Sequence, residues 1–135
     1  MLAVLVLVLT LGLAGCGSTP STASQPLDIR GTWDMVAIAG TSQYPQTMHI
    51  TSEDFTTGAV TGTDVGAGLT FTVVGTISGG DVTFTTTNAG YTSHSKAAVL
   101  DTGSNMGLPG TLRMSGTFTD SNKTSGTFSA LLIGP

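Results

Sequence analysis

The chain has 135 residues, the length of one domain, with 9% charged side chains and a formal net charge of −4. Its cations, Arg30, Lys96, Arg113 and Lys123, are never adjacent in sequence, which excludes nucleic acid as a partner because phosphate binding needs clustered Lys and Arg. The single cysteine, Cys16, excludes an internal disulfide, and Thr, Ser and Gly in place of charge favour strands and turns over disorder. The chain opens on an apolar run, residues 1–13, interrupted only by Thr10 and Gly12. That run is shorter than the roughly 20 residues a membrane-spanning helix needs, and it matches the core of a signal peptide.

Leu13, Ala14, Gly15 and Cys16 close the run. The tetrapeptide resembles a bacterial lipobox, in which small or aliphatic residues precede a cysteine that receives lipid. The resemblance implies cleavage before Cys16, a thioether-linked diacylglycerol on its sulfur, and usually a further acyl chain on the new amine. Two or three chains, at about 0.8 kcal/mol per buried CH₂, hold a protein on a membrane. Gly17 stands where an Asp retains such proteins at the inner membrane of enterobacterial-type cells. The expected location is therefore the cell envelope, and the outer membrane in a two-membrane organism. No Lys or Arg precedes the apolar run, whereas a secretory peptide opens with one; the reading expects a short basic segment upstream of Met1. Residues 16–26 form the lipidated cysteine and a Ser/Thr/Pro tether of low complexity. Residues 1–15 are thus the signal peptide and 27–135 the folded domain.

From Leu27 the pattern changes to period 2. Gly31-Thr32-Trp33-Asp34-Met35-Val36-Ala37-Ile38 places Trp33, Met35 and Ala37 on one face. A loop is expected over 40–46, around Tyr44-Pro45, then a short strand over 47–51 with Met48 and Ile50 inward. A weak Gly- and Thr-rich strand over 56–65 follows, and a firmer one over 69–77 with Phe71, Val73 and Gly75 on one side. Ser78-Gly79-Gly80-Asp81 predicts a tight hairpin, since paired glycines supply the positive φ of primed turns. Residues 82–87 alternate with Val82 and Phe84 inward, 88–91 turn the chain, and 95–100 return it. A long loop is expected over 101–110. Leu112, Met114, Gly116 and Phe118 then alternate with polar residues, and a turn at 120–123 leads to Gly126, Phe128, Ala130 and Leu132.

Eight short strands joined mostly by tight turns, with no convincing helix, predict an all-β domain. An eight-stranded antiparallel up-and-down barrel fits best, with a β-sandwich as the alternative. Ser115-Gly116-Thr117-Phe118 and Ser125-Gly126-Thr127-Phe128 repeat each other, as two equivalent strands with inward glycines would, and glycine permits the coiling a small barrel needs. Gly31-Thr32-Trp33 resembles the opening of the lipocalin and avidin group, the calycins. There Gly-x-Trp lays the indole across the closed end of the barrel, often beneath a basic side chain from a late strand. The resemblance implies structural roles for Gly31 and Trp33, with Arg113 or Lys123 as the cation over the ring. The second and third lipocalin motifs are missing, and Trp33 alone remains of the tryptophans that enclose biotin in avidin, so biotin binding is not implied.

Catalytic and metal patterns are missing as well. His49 lies opposite Met48 and Ile50 and so faces solvent, and His94 has no metal-ligand spacing around it. No nucleophile elbow or phosphate loop is present, so the reading is a non-enzymatic protein with no cofactor and no metal. Barrel mouths are common ligand sites. The residues expected to line this one are Trp33, Tyr44, Tyr91, Met106 and Leu108, from the 40–46 and 101–110 loops and their neighbours. The leading expectation is a membrane-tethered barrel that holds a small apolar or amphipathic molecule. The alternative is an envelope protein that acts by contact with another protein, its interior filled by Trp33, Phe71, Phe84, Phe118 and Phe128.

Overall fold

The computed structural model describes residues 27–102 and 112–135. The expected signal peptide 1–15, the tether 16–26 with Cys16, and Met106 and Leu108 lie outside the described residues. Eight strands run in order: β1 (Gly31–Ala39), β2 (Ser42–Glu53), β3 (Ala59–Gly66), β4 (Leu69–Ser78), β5 (Asp81–Asn88), β6 (Tyr91–Asp101), β7 (Leu112–Asp120) and β8 (Ser125–Gly134). Each pairs antiparallel with the next, and β8 pairs back onto β1 to close an up-and-down barrel. Closure leaves no free sheet edge. The described residues contain no helix.

Period-2 alternation sets which side chains enter the barrel. On β1, Trp33, Met35 and Ala37 are buried while Asp34 and Ile38 are exposed. Trp33 sits opposite Met48 of β2 and Leu132 of β8, and Ala37 sits opposite Tyr44 and Phe128. The Ser-Gly-Thr-Phe repeats lie side by side on β7 and β8, with Phe118 opposite Gly126 and Gly116 opposite Phe128. A β-carbon on Gly126 would lie 2.0 Å from the Ile38 carbonyl oxygen and 2.7 Å from the Phe118 ring. Glycine there lets β8 approach β1 and lets the Phe118 ring lie over bare backbone.

The connections alternate between the two ends of the barrel. The β1–β2, β3–β4, β5–β6 and β7–β8 turns share one end, and β2–β3, β4–β5 and β6–β7 share the other. Inside the barrel, the layer around Trp33 is closely packed. Ile29, Trp33, Met48, Ile50, Val60, Val73, Val82 and Met114 are fully buried there or just above it. The stretch before β1 plugs the Trp33 end: Ile29 is completely buried and its N–H donates to Glu53 Oε2 at 2.9 Å. The Trp33 indole N–H donates to the Ile29 carbonyl at 2.9 Å, so the ring's polar atom is satisfied inside the core, as a buried indole requires.

Three expectations need correction. Residues 40–46 are not a loop; only Gly40 and Thr41 turn, and Tyr44 and Pro45 belong to β2. Pro45 is tolerated because the β2–β3 ladder starts at Gln46, so β2 has a partner on one side only at that point. The 40–41 turn and the strand ends Asp101 and Leu112, which flank residues 103–111, are at opposite ends of the barrel. Nor is Trp33 capped by Arg113 or Lys123. Arg113 is exposed between the buried Leu112 and Met114, and Lys123 is exposed in the β7–β8 turn at the far end. The cation-over-ring contact among the described residues is instead Arg30 above Phe55, at 5.3 Å.

Candidate functional site

The half of the barrel away from Trp33 is hollow. A cavity of about 300 Å³ opens at the end formed by the β1–β2, β3–β4, β5–β6 and β7–β8 turns. Its apolar wall comes from Met35, Ala37 and Ala39 of β1, Phe71 of β4, Phe118 of β7 and Phe128 of β8. These are the inward positions of the strands one or two steps above the closely packed layer, where small residues on β1 leave space. Trp33 and Phe84 fill the lower barrel, while Phe71, Phe118 and Phe128 wall the upper one without closing it.

Tyr44 and Tyr91, both expected at the mouth, line this cavity. The Tyr91 ring meets Phe71 edge-on, with centroids 5.6 Å apart, a favoured aromatic geometry. Its hydroxyl donates to Asp120 Oδ2 at 3.4 Å. Burial raises the Tyr91 pKa, and the neighbouring Asp120 charge raises it further. Asp120 also holds the β7–β8 turn, because its Oδ1 accepts from the N–H groups of Asn122 and Thr124 at 2.9 and 2.8 Å. Trp33, also expected to line the site, is fully buried at the opposite end. Met106 and Leu108 lie outside the described residues. The strand ends that flank them, Asp101 and Leu112, pair with each other at the Trp33 end.

The group that sequence reasoning missed is Asp64. It is inward-facing on β3, between Met48 of β2 and Phe71 of β4 in the ladder, and only 4% of it is exposed. It lines the cavity, and its Oδ1 has no hydrogen-bond partner. Burial raises its pKa from 3.8 to about 6, against a smaller opposing effect from the Val65 N–H. No cation of the protein answers it: Arg30, Lys96, Arg113 and Lys123 are all exposed. At neutral pH the cavity therefore contains an uncompensated carboxylate, an arrangement that costs free energy unless something else pairs with it. Gln46, Thr86, Ser93 and Ser95 supply further polar atoms along the wall.

No family model, curated protein or solved structure matches the chain. The site has to be read from its own chemistry. Among the described residues there is no group of three or more His, Cys, Asp or Glu placed to hold a metal ion. His49 and His94 lie on the outer surface, each with Nδ1 at 3.1 Å from a threonine of the adjacent strand, Thr32 and Thr85. A second hollow, of about 610 Å³, lies at the Trp33 end between Phe55, Gly79 and Val99. It is bordered by Asp101, from which the chain runs into residues 103–111, outside the described part.

Proposed function

We propose that this protein is a lipid-anchored envelope protein whose barrel binds a small apolar or amphipathic molecule in the open-end cavity. The observation that carries the binding reading is the cavity itself. Its volume, about 300 Å³, is at the low end of the range of small-molecule sites, and its plan is theirs: apolar and aromatic walls with a few placed polar groups. An engineered apolar cavity of about half that size takes up benzene. The volume therefore suits a ligand of about ten to fifteen non-hydrogen atoms. Short turns at Gly40, Ala67-Gly68 and Ala89-Gly90 leave little chain to cover the mouth.

Native mass spectrometry of the full chain, purified from its own host, tests this reading. The expected result is a small-molecule adduct that is lost when Ala37→Phe fills the cavity. Bare protein together with an Ala37→Phe variant indistinguishable in ligand uptake would oppose it. The anchor is supported by the Leu13-Ala14-Gly15-Cys16 tetrapeptide at the end of an apolar run. Cys16→Ser should release the domain to the soluble fraction or leave the leader uncleaved; a processed, membrane-bound Cys16→Ser protein would contradict the anchor.

A second reading, contact with another envelope protein, has one observation in its favour. Leu100 and Ile133 are each 59% exposed; Leu100 sits opposite Arg113, which sits opposite Leu131, and Ile133 lies two residues further along β8, and exposed apolar groups mark contact surfaces when they form a patch. Crosslinking at Leu100 in intact envelopes would capture such a partner, and no crosslinked product would set this reading aside.

A further inference from the structure

The hollow half of the barrel contains negative charge and no positive charge. Asp64 lines the cavity and is almost wholly buried, and its Oδ1 has no hydrogen-bond partner. Asp120 stands at the rim, where its second oxygen meets Tyr91. Between these two carboxylates the wall is aromatic, built by Tyr44, Phe71, Tyr91, Phe118 and Phe128. We propose that the ligand of this cavity carries a protonated amine, held by Asp64 and faced by the surrounding aromatic rings. This rests on the cavity being a binding site and names the class of molecule it takes: an aryl or alkyl ammonium of about ten to fifteen non-hydrogen atoms.

The chemistry of the site selects the cation over the alternatives. A bound carboxylate would face two like charges, with no Lys or Arg inside to offset them. A neutral alcohol offers one donor to Asp64 and leaves its charge uncompensated. An ammonium supplies up to three donors and the opposite charge, which makes a charge-assisted hydrogen bond of about twice the ordinary strength. Its remaining protons face ring surfaces whose quadrupoles attract cations. The free carboxylate is destabilised in the empty protein, so a cation that pairs with it also relieves that cost. The groups that face Asp64 are Met48 and Gln46 from β2, Phe71 from β4, Tyr91 from β6 and Asp120 at the end of β7, with Tyr44 at the mouth. None of them is a cation, and the acids and phenols among them favour a positively charged guest.

The test uses three probes with one phenylbutyl body and different head groups: 4-phenylbutylamine, 4-phenylbutan-1-ol and 4-phenylbutanoate. Each is titrated into the full chain by calorimetry at about pH 7.5 and again at about pH 5, on either side of the Asp64 pKa of about 6. The amine should bind at least about tenfold tighter than the alcohol at the higher pH, with the preference shrinking at the lower pH as Asp64 takes up a proton. Asp64→Asn should abolish the preference of the amine over the alcohol at the higher pH, and a preference of about tenfold that survives in the variant overturns the role of Asp64. If that variant fails to fold, the head-group series and its pH dependence in the native chain still decide the matter. Equal affinity for amine and alcohol, or a preference for the carboxylate, overturns the assignment of the ammonium while leaving the cavity a binding site. No binding by any of the three overturns both.

Discussion

Asp64→Asn should make the protein more stable at neutral pH, an unusual result for a substitution in a barrel interior. The folded-state pKa of Asp64 is raised from 3.8 to about 6 by burial, so the folded protein holds its proton more tightly than the unfolded chain does. This group therefore contributes no penalty below about pH 4, and its unfavourable effect grows as pH rises through the window up to about 6. At about 1.36 kcal/mol per pKa unit, the shift corresponds to about 3 kcal/mol above that window. Asparagine has the same shape as the carboxylic acid and no charge, so it removes that penalty and leaves the packing against Met48 and Phe71 unchanged. Urea unfolding of both proteins, followed by Trp33 fluorescence from about pH 4 to pH 8, should show the variant ahead by 2–3 kcal/mol at the alkaline end, an order-of-magnitude figure. The two curves should meet near pH 4. A variant less stable than wild type at pH 8, or a difference independent of pH, would refute the reading of Asp64 as an uncompensated buried charge.

Gly126→Ala should cost about 1–3 kcal/mol in the same unfolding assay, because its β-carbon would meet the Ile38 carbonyl oxygen at 2.0 Å and force β8 away from β1; an unchanged midpoint would argue against that close approach. Trp33→Phe leaves the Ile29 carbonyl without its donor and a void in the closely packed layer, with an expected loss of about 2–4 kcal/mol. Because Trp33 is fully buried away from the cavity, its emission in wild type should resist quenching by acrylamide and stay constant when 4-phenylbutylamine binds. Arg30→Ala should leave the unfolding midpoint unchanged, since Arg30 and Asp28 form a salt bridge with side chains 50% and 48% exposed; a clear drop would mean that the Arg30 contact with Phe55 matters more than its exposure implies.

The barrel was legible because period-2 alternation is a direct consequence of strand geometry. Trp33, Met35 and Ala37 repeat with apolar spacing, and Ser78-Gly79-Gly80-Asp81 can only turn; Gly79 and Gly80 indeed have φ of 61° and 100°. Tyr44-Pro45 read as a loop because proline usually ends a strand. What permitted it was a local edge in β2, which depends on where the β3 ladder begins and so on tertiary pairing. The two ends of the barrel were in principle readable from strand order. Connections after odd-numbered strands share one end and those after even-numbered strands the other, which separates the 40–41 turn from the strand ends Asp101 and Leu112. Asp64 was the least legible group. It follows Val60 and Gly62 on one face of β3, but in Thr61-Gly62-Thr63-Asp64-Val65-Gly66 no run of apolar residues marks which face is inside. The resemblance to the calycin opening gave the place of Trp33 at the closed end. The cation it implies over the ring is not there, since Arg113 and Lys123 are both exposed, and the separate expectation of Trp33 at the mouth fails because Trp33 is fully buried at the other end.

The most direct test of the account is an amide NMR titration of the full chain with 4-phenylbutylamine. Saturable shifts should concentrate on Ala37, Gln46, Asp64, Phe71, Tyr91 and Phe128, which wall the open end. The amides of Trp33, Val60, Val82 and Leu112 at the opposite end should stay in place. No saturable change, or changes centred on the outer face or on the Trp33 end, would contradict a ligand site in this cavity.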